Sequence, residues 1–212
     1  MLRPLPSPAC GRCGAPSLST RRERGATCLE CGDWPPDLRA ARAACLLRAP
    51  ADALVHQLKY RGWRALADPI AERMAAVTLP DDVRLEAELC VPVPTTAERL
   101  RERGYHQAEC IARAFARRTG RTLAPILHRE RSARSQTVLL PAARRANVAG
   151  AFGVRTGRSR SIHNAHLLLV DDVLTTGATA VECALTLVAA GARCVSLIAF
   201  ARALDARRLT ET

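Results

Sequence analysis

The stretch from His166 to Ala201 constrains the fold more than any other part of the chain. HLLLVDDV (166–173) is an apolar run closed by two acids, the pattern of a strand buried on both faces. Ala180–Ala190 sets Val181, Ala184, Leu185 and Val188 on one helical face, with Gly191 at the C′ position. CVSLIAFA (194–201) is a second buried strand. Strand, helix and strand with short links imply a parallel pair joined by a right-handed crossover.

Upstream, LCVPVP (Leu89–Pro94) reads as a strand ended by proline. Ala108–Arg118 carries Cys110, Ile111, Ala114 and Phe115 at helical spacing, and Gly120 closes it. From Leu38 to Met74 the pattern predicts helix, with Leu54, Leu58 and Leu66 among alanines and arginines and Gly62 separating two helices. Pro80-Asp81-Asp82 predicts a turn. Thr122–Leu127 is a candidate strand. A long polar stretch follows it, holding Arg129, Arg131, Arg134, Gln136, Arg144, Arg145 and Asn147; a loop of that length in a compact domain is usually functional or mobile. The expected organisation is a small metal module over 1–36, a helical connector over 37–84 and an α/β domain over 85–212.

With 212 residues, 48% of them apolar, the chain can bury a full core in one domain with a small accessory module. The longest apolar candidate for a membrane span, Ala184–Ala201, is broken by Gly191 and Arg193, so no span is expected. Pro4, Pro6 and Pro8 with no apolar stretch before Cys10 argue against a secretory signal, and a cytoplasmic chain with reduced thiols is the expectation. The net charge is +12, carried by 31 arginines and a single lysine, Lys59. Arginine pairs bidentately with phosphates, so anionic ligands fit; a GC-rich genome accounts equally well for the ratio of arginine to lysine. Trp, Tyr and Phe total only seven, so no aromatic stacking platform is evident. Binding to single strands would then lean on phosphates and depend steeply on salt.

Cys10, Cys13, Cys28 and Cys31 form CGRCG and CLECG, with 14 residues between the two CxxC pairs. Four thiolates at this spacing can meet one tetrahedral Zn²⁺, and the adjacent glycines allow the tight turns. A module this small lacks a core of its own, so the metal would hold it together. Arg12, Arg21, Arg22 and Arg24 lie between and beside the knuckles and could contact nucleic acid. The remaining five cysteines sit in apolar surroundings and read as small core residues.

VDDVLTTGAT (Val170–Thr179) carries the most chemistry. Asp171 and Asp172 stand at the carboxyl end of a buried parallel strand, the edge at which open α/β sheets bind ligands. The Thr-Thr-Gly-Ala-Thr turn that follows aims backbone N–H groups, hydroxyls and a helix N-terminus at one spot, which suits a phosphate. The acids suit hydroxyl donors or a cation, and a ribose 5-phosphate combines both. There is no GxxxxGK followed by serine or threonine, so this is not a Walker loop.

VDDVLTTGAT resembles the signature by which type I phosphoribosyltransferases hold phosphoribosyl pyrophosphate (PRPP). With CGRCG and CLECG, LKYRGWRALA (58–67), VPVPTTAERLRERGYHQAECIARAFA (91–116) and RSARSQTVLLPAARRANVAGAF (131–152), the chain is similar to the ComF family, bacterial proteins linked to DNA uptake in natural transformation. The resemblance covers nearly the whole chain. It implies an α/β fold with a type I phosphoribosyltransferase-like parallel sheet flanked by helices and a small N-terminal four-cysteine zinc ribbon.

It also implies a PRPP site at Asp171, Asp172, Val173, Leu174, Thr175, Thr176, Gly177, Ala178 and Thr179, with the acids on the ribose hydroxyls. Arg99, Arg103, Gly104 and Gln107, beside Tyr105, fall where such enzymes hold pyrophosphate. Arg131, Arg134 and Gln136 fall in the loop that closes over the site, and Mg²⁺ would accompany PRPP. Tyr105-His106 stands where phenylalanine-asparagine is common, and His106 reads better as a solvated loop residue. No residue is singled out as catalytic. Two readings stand: phosphoribosyl transfer to an unidentified acceptor, or a non-catalytic zinc-containing protein that binds single-stranded DNA, with PRPP as a regulatory ligand or none. A competence helicase is a candidate partner.

Overall fold

A computed structural model of the chain describes residues 1–16, 28–129, 150–157 and 162–204. Strand β1 (Leu38–Leu46) leads into helices α1 (Ala51–Tyr60), α2 (Ala67–Ala75) and α3 (Asp81–Glu86). Then come β2 (Leu89–Pro92), α4 (Ala97–Arg103), α5 (Gln107–Thr119) and the short β3 (Thr122–Leu123). β4 (Leu127–Arg129) and β5 (Phe152–Val154) pair as an antiparallel hairpin. β6 (His166–Leu174), α6 (Ala178–Ala189) and β7 (Cys194–Arg202) complete the fold. The main sheet has five strands in the order β1-β7-β6-β2-β3, all parallel.

The strand–helix–strand unit is as expected, with β6 in the middle of the sheet where both faces are covered. On one face α1, α2 and α5 pack Leu58, Ile70, Met74, Ile111 and Phe115 against Leu168, Val170, Ile198 and Phe200. On the other, Leu167, Leu169 and Leu197 meet Leu187 of α6, the β4–β5 hairpin and the N-terminal module. Each such side chain withdrawn from water contributes about 1.5–3 kcal/mol.

Three local expectations change. Leu38–Leu46 is a strand, not helix: β1 pairs with β7 from Leu38↔Val195 to Leu46↔Arg202. Alanine and arginine favour helix only weakly, and a ladder of tertiary hydrogen bonds along an otherwise open sheet edge outweighs that preference. The small alanines also let the module approach: the Ala41 N–H donates to Arg12 C=O at 2.9 Å. Asp81 and Asp82 open the short α3 rather than a simple turn, because acids in a first turn complement the helix dipole. Of Thr122–Leu127 only Thr122–Leu123 joins the main sheet, while Leu127 starts the hairpin. The metal module is not coreless either. Cys13, Ala15, Cys31 and Trp34 belong to the same buried cluster as β6 and α6. Among the described residues no helix is long and apolar enough to cross a membrane.

Candidate functional site

β2 ends at Pro92, opposite Val170, whereas β6 runs on to Leu174 paired with β7 alone. Asp171 and Asp172 therefore emerge where one neighbouring strand has stopped, the kind of sheet edge at which open α/β folds bind ligands. Being successive in a strand, they point to opposite faces of the sheet. Asp172 points toward α1 and is 4% exposed. Its Oδ1 lies 3.0 Å from Lys59 Nζ, and its buried Oδ2 has no partner. Asp171 Oδ1 accepts the Asp172 N–H at 2.8 Å. Burial first, then the charge of Asp172, push the Asp171 carboxyl up to about 8. At neutral pH the pair thus favours one proton and one negative charge, with acceptor capacity left over for hydroxyls or a cation.

Lys59 was not among the expected site residues, although it lies in LKYRGWRALA (58–67) and is the chain's only lysine. α1 delivers it. The Tyr105 hydroxyl donates to the Leu58 C=O and pins the end of α1 beside the loop after α4. An ammonium is a compact point charge that can leave one oxygen of Asp172 open, where a guanidinium fork would take both.

The turn after β6 is built around Gly177, with φ +81° at the N-cap of α6. A Cβ there would come within 2.4 Å of Cζ2 of Trp34. Both the backbone conformation and the indole lying on the turn thus demand glycine. Trp34, at 7% exposure, is the floor beneath the turn. Thr175 is exposed, Thr176 and Thr179 are half-buried, and Thr176 Oγ1 accepts the Ala178 N–H at 3.4 Å. Val173 and Leu174 still belong to β6 and their side chains pack into the two cores, so only their backbone could face a ligand.

The segment expected to grip a diphosphate follows β2, the strand next to β6. Arg99 is exposed on α4, whose first turn is capped by Thr96 Oγ1 accepting the Arg99 N–H at 3.2 Å. Gly104 ends α4 at φ +73°. Arg103 lies over the Tyr60 ring at 5.0 Å, and its Nε and Nη1 are buried without acceptors. Gln107, the first residue of α5, is buried with Oε1 unpartnered. His106 is not a solvated loop residue. Its Nε2 accepts the Thr95 N–H at 3.1 Å, and its Nδ1 lies 3.6 Å from Glu109. Burial lowers its pKa, and the charges of Glu109 and Asp172 oppose that. A cavity of about 470 Å³ adjoins this segment, lined among others by Thr95, His106, Glu109, Arg113 and Arg129. Arg131, Arg134 and Gln136 lie outside the described residues.

Cys10, Cys13, Cys28 and Cys31 converge with all four sulfurs within 4.8 Å of one another. Cys10 Sγ to Cys31 Sγ and Cys13 Sγ to Cys28 Sγ are both 3.8 Å. Tetrahedral bonds of about 2.3 Å set sulfurs about 3.8 Å apart, so the cluster fits one metal ion. Burial, reinforced by neighbouring thiols, pushes Cys13 up to about 11 and Cys31 higher still, a penalty that a bound cation would reverse. Arg12 is spent inside the module, donating to the C=O of Cys31 (3.2 Å), Pro35 (2.5 Å) and Leu38 (3.0 Å). It is not free for nucleic acid, and Arg21, Arg22 and Arg24 lie outside the described residues.

No family model matches the chain. It is similar to the DNA utilization protein YhgH of Escherichia coli O6:H1, at 26% identity over 206 residues covering 92% of this chain and 84% of the relative. YhgH of Salmonella typhimurium matches at 27% over the same span. Among solved structures, a hypoxanthine phosphoribosyl transferase of Trypanosoma cruzi aligns with a TM-score of 0.36 and 12% identity, covering 66% of this chain and 65% of that one. TT1426 from Thermus thermophilus aligns at 0.34 with 18% identity, covering 72% and 79%. The chain, with its parallel sheet, its acid pair and its four-cysteine cluster, is thus similar to the DNA utilization protein YhgH across 92% of its length.

Proposed function

We propose that the crevice between β2 and β6 binds PRPP, and that the protein acts in the cytoplasm in DNA uptake during natural transformation. The observation that carries the ligand reading is the buried, unpartnered Oδ2 of Asp172 beside a glycine turn at a helix N-terminus. An orphaned buried carboxylate oxygen is costly unless a ligand supplies a donor. A ribose hydroxyl is such a donor, and the turn from Thr175 to Thr179 offers N–H groups and hydroxyls to the 5-phosphate.

In this reading Arg103 and Gln107 face the diphosphate, with Arg99 at the rim. Arg103 has two buried N–H groups to give. Mg²⁺ bound with PRPP would supply further charge neutralisation of the diphosphate. Transfer from ribose C1 needs no covalent nucleophile from the protein. It needs stabilisation of the departing diphosphate and exclusion of water. An acceptor would enter through the cavity beside His106 and Glu109. Zn²⁺ is the metal we assign to the four cysteines, because a closed all-thiolate tetrahedral set suits it. We retain the division into a zinc ribbon over 1–36, a connector over 37–84 and a phosphoribosyltransferase-like domain over 85–212, with β1 lent by the connector to the domain's sheet.

Calorimetric titration with PRPP and Mg²⁺ tests the reading. Asp172→Asn should weaken binding by about 1.5–3 kcal/mol, the cost of a lost charged hydrogen bond. Unchanged affinity would remove the ribose role of Asp172, and no heat from the unaltered chain would remove the PRPP reading itself.

A further inference from the structure

Two chains of contact run from the four-cysteine cluster to the turn after β6. The first starts at Cys31, whose C=O accepts the Trp34 N–H at 3.2 Å. The Trp34 indole then lies against Gly177: a Cβ built there would stand 2.4 Å from Cζ2, 2.8 Å from Cε2 and 3.2 Å from Nε1. The second starts at Cys13, whose C=O accepts from Arg202 Nη1 at 2.6 Å. Arg202 closes β7 opposite Leu174, the last residue of β6, and the next N–H, that of Ala203, donates to the Leu174 C=O at 2.9 Å. Leu174 and Gly177 bracket the start of the turn, and Cys13, Cys31, Trp34 and Leu174 share one buried cluster.

Both contacts carry more than packing. A cleft of about 130 Å³ lies beside the indole, walled by Asp33, Thr176 and Glu182, so the turn borders open space and leans on Trp34 for support. Arg202 is 1% exposed, its Nε and Nη2 are buried without hydrogen-bond partners, and Glu30 Oε2 lies 3.8 Å from Nη2. A buried cation is costly unless countercharge lies close. Four thiolates around one divalent ion leave two negative charges, and Arg202 is bonded to the backbone of one of the four cysteines. A filled cluster therefore stabilises Arg202 where it stands, at the end of the strand that flanks the turn.

We propose that Trp34 is a positioning residue for the turn over 175–179, and that Trp34 and Arg202 couple metal retention at the four cysteines to phosphoribosyl binding at that turn. The coupling rests on PRPP as the ligand of the turn. Each site strengthens the other by the same factor, because linkage between two binding equilibria is reciprocal. A chain stripped of its metal binds PRPP poorly, and a chain holding PRPP releases its metal slowly.

The test uses the full chain purified with its metal. Zinc release into an excess of a colorimetric chelator is timed with and without saturating PRPP and Mg²⁺, and PRPP affinity is measured by calorimetry on the same preparations. PRPP should slow release about fivefold or more. Trp34→Ala, at unchanged zinc content, should weaken PRPP binding about fivefold or more and abolish the protection. Trp34→Phe keeps a ring under Gly177 and should retain both within about threefold. A merely structural tryptophan would shift the melting temperature and leave the protection in place. Trp63→Phe leaves Trp34 as the only indole, so in that background its emission should change when PRPP binds, a readout that stands even where Trp34→Ala fails to fold. Absence of bound metal, release equally fast with and without PRPP, or a Trp34 emission unmoved by bound PRPP would each overturn the coupling and leave the PRPP site standing. Full protection in Trp34→Ala would remove Trp34 as the link. No PRPP binding by the unaltered chain would remove the PRPP reading and the coupling with it.

Discussion

Arginines lie near aromatic residues in two regions of this molecule, and the two regions use them in opposite ways. In the N-terminal module Arg12 faces inward. Arg12 donates to a fan of backbone carbonyls around Trp34. At the end of α1 the rings of Tyr60 and Trp63 face water, Arg61 is exposed, and Arg103 retains unused donors. A net charge of +12 therefore says little by itself. What matters is whether backbone carbonyls have already consumed an arginine's donors.

The largest effect that would break this comparison lies in the metal cluster. If the module is welded to the domain through its metal and through Trp34, Cys31→Ser should lower the melting temperature by about 10–20 °C, several kcal/mol at roughly 2–4 °C each. Chelation of the unaltered chain should do the same. A melting curve unmoved by either would mean that the sheet does not depend on the cluster. Next in size is Arg12→Ala, which strands several buried carbonyls and should cost about 2–4 kcal/mol in denaturant unfolding. Arg12→Lys should recover only a fraction, because an ammonium cannot fork across them. Equal stability of both variants and the parent would return Arg12 to the pool of free surface charge. The smallest effect belongs to Arg61→Ala. Its stability should stay within about 0.5 kcal/mol of the parent, while the slope of log affinity for single strands against log salt should fall by about one. A stability loss comparable to that of Arg12→Ala would erase the contrast.

The central strand pair, α5 with its closing Gly120, and the Gly177 turn were legible because each has a short-range pattern: apolar runs, a helical period, a glycine where φ must be positive. The four cysteines were legible because their CxxC spacing is the spacing that lets four sulfurs converge. Other features leave no local mark. β1 carries alanines that suit helix, and only the edge of β7 makes it a strand. His106 has an ordinary loop sequence around it, and only Thr95, in the loop after β2, supplies the N–H that its ring accepts. Lys59 and Asp172 are more than a hundred positions apart in the chain, and no spacing rule links them.

The sequence by itself thus determined the parallel α/β layers, the acid pair and glycine turn at the end of β6 and the convergence of the four cysteines, because periodicity, turn stereochemistry and CxxC spacing act over a few residues. Only the tertiary structure decided that Trp34 underlies the Gly177 turn, that Lys59 pairs with one oxygen of Asp172, and that Tyr60 and Trp63 stay in water. Burial and charge pairing depend on which distant surfaces come together, and that information is spread over the whole chain.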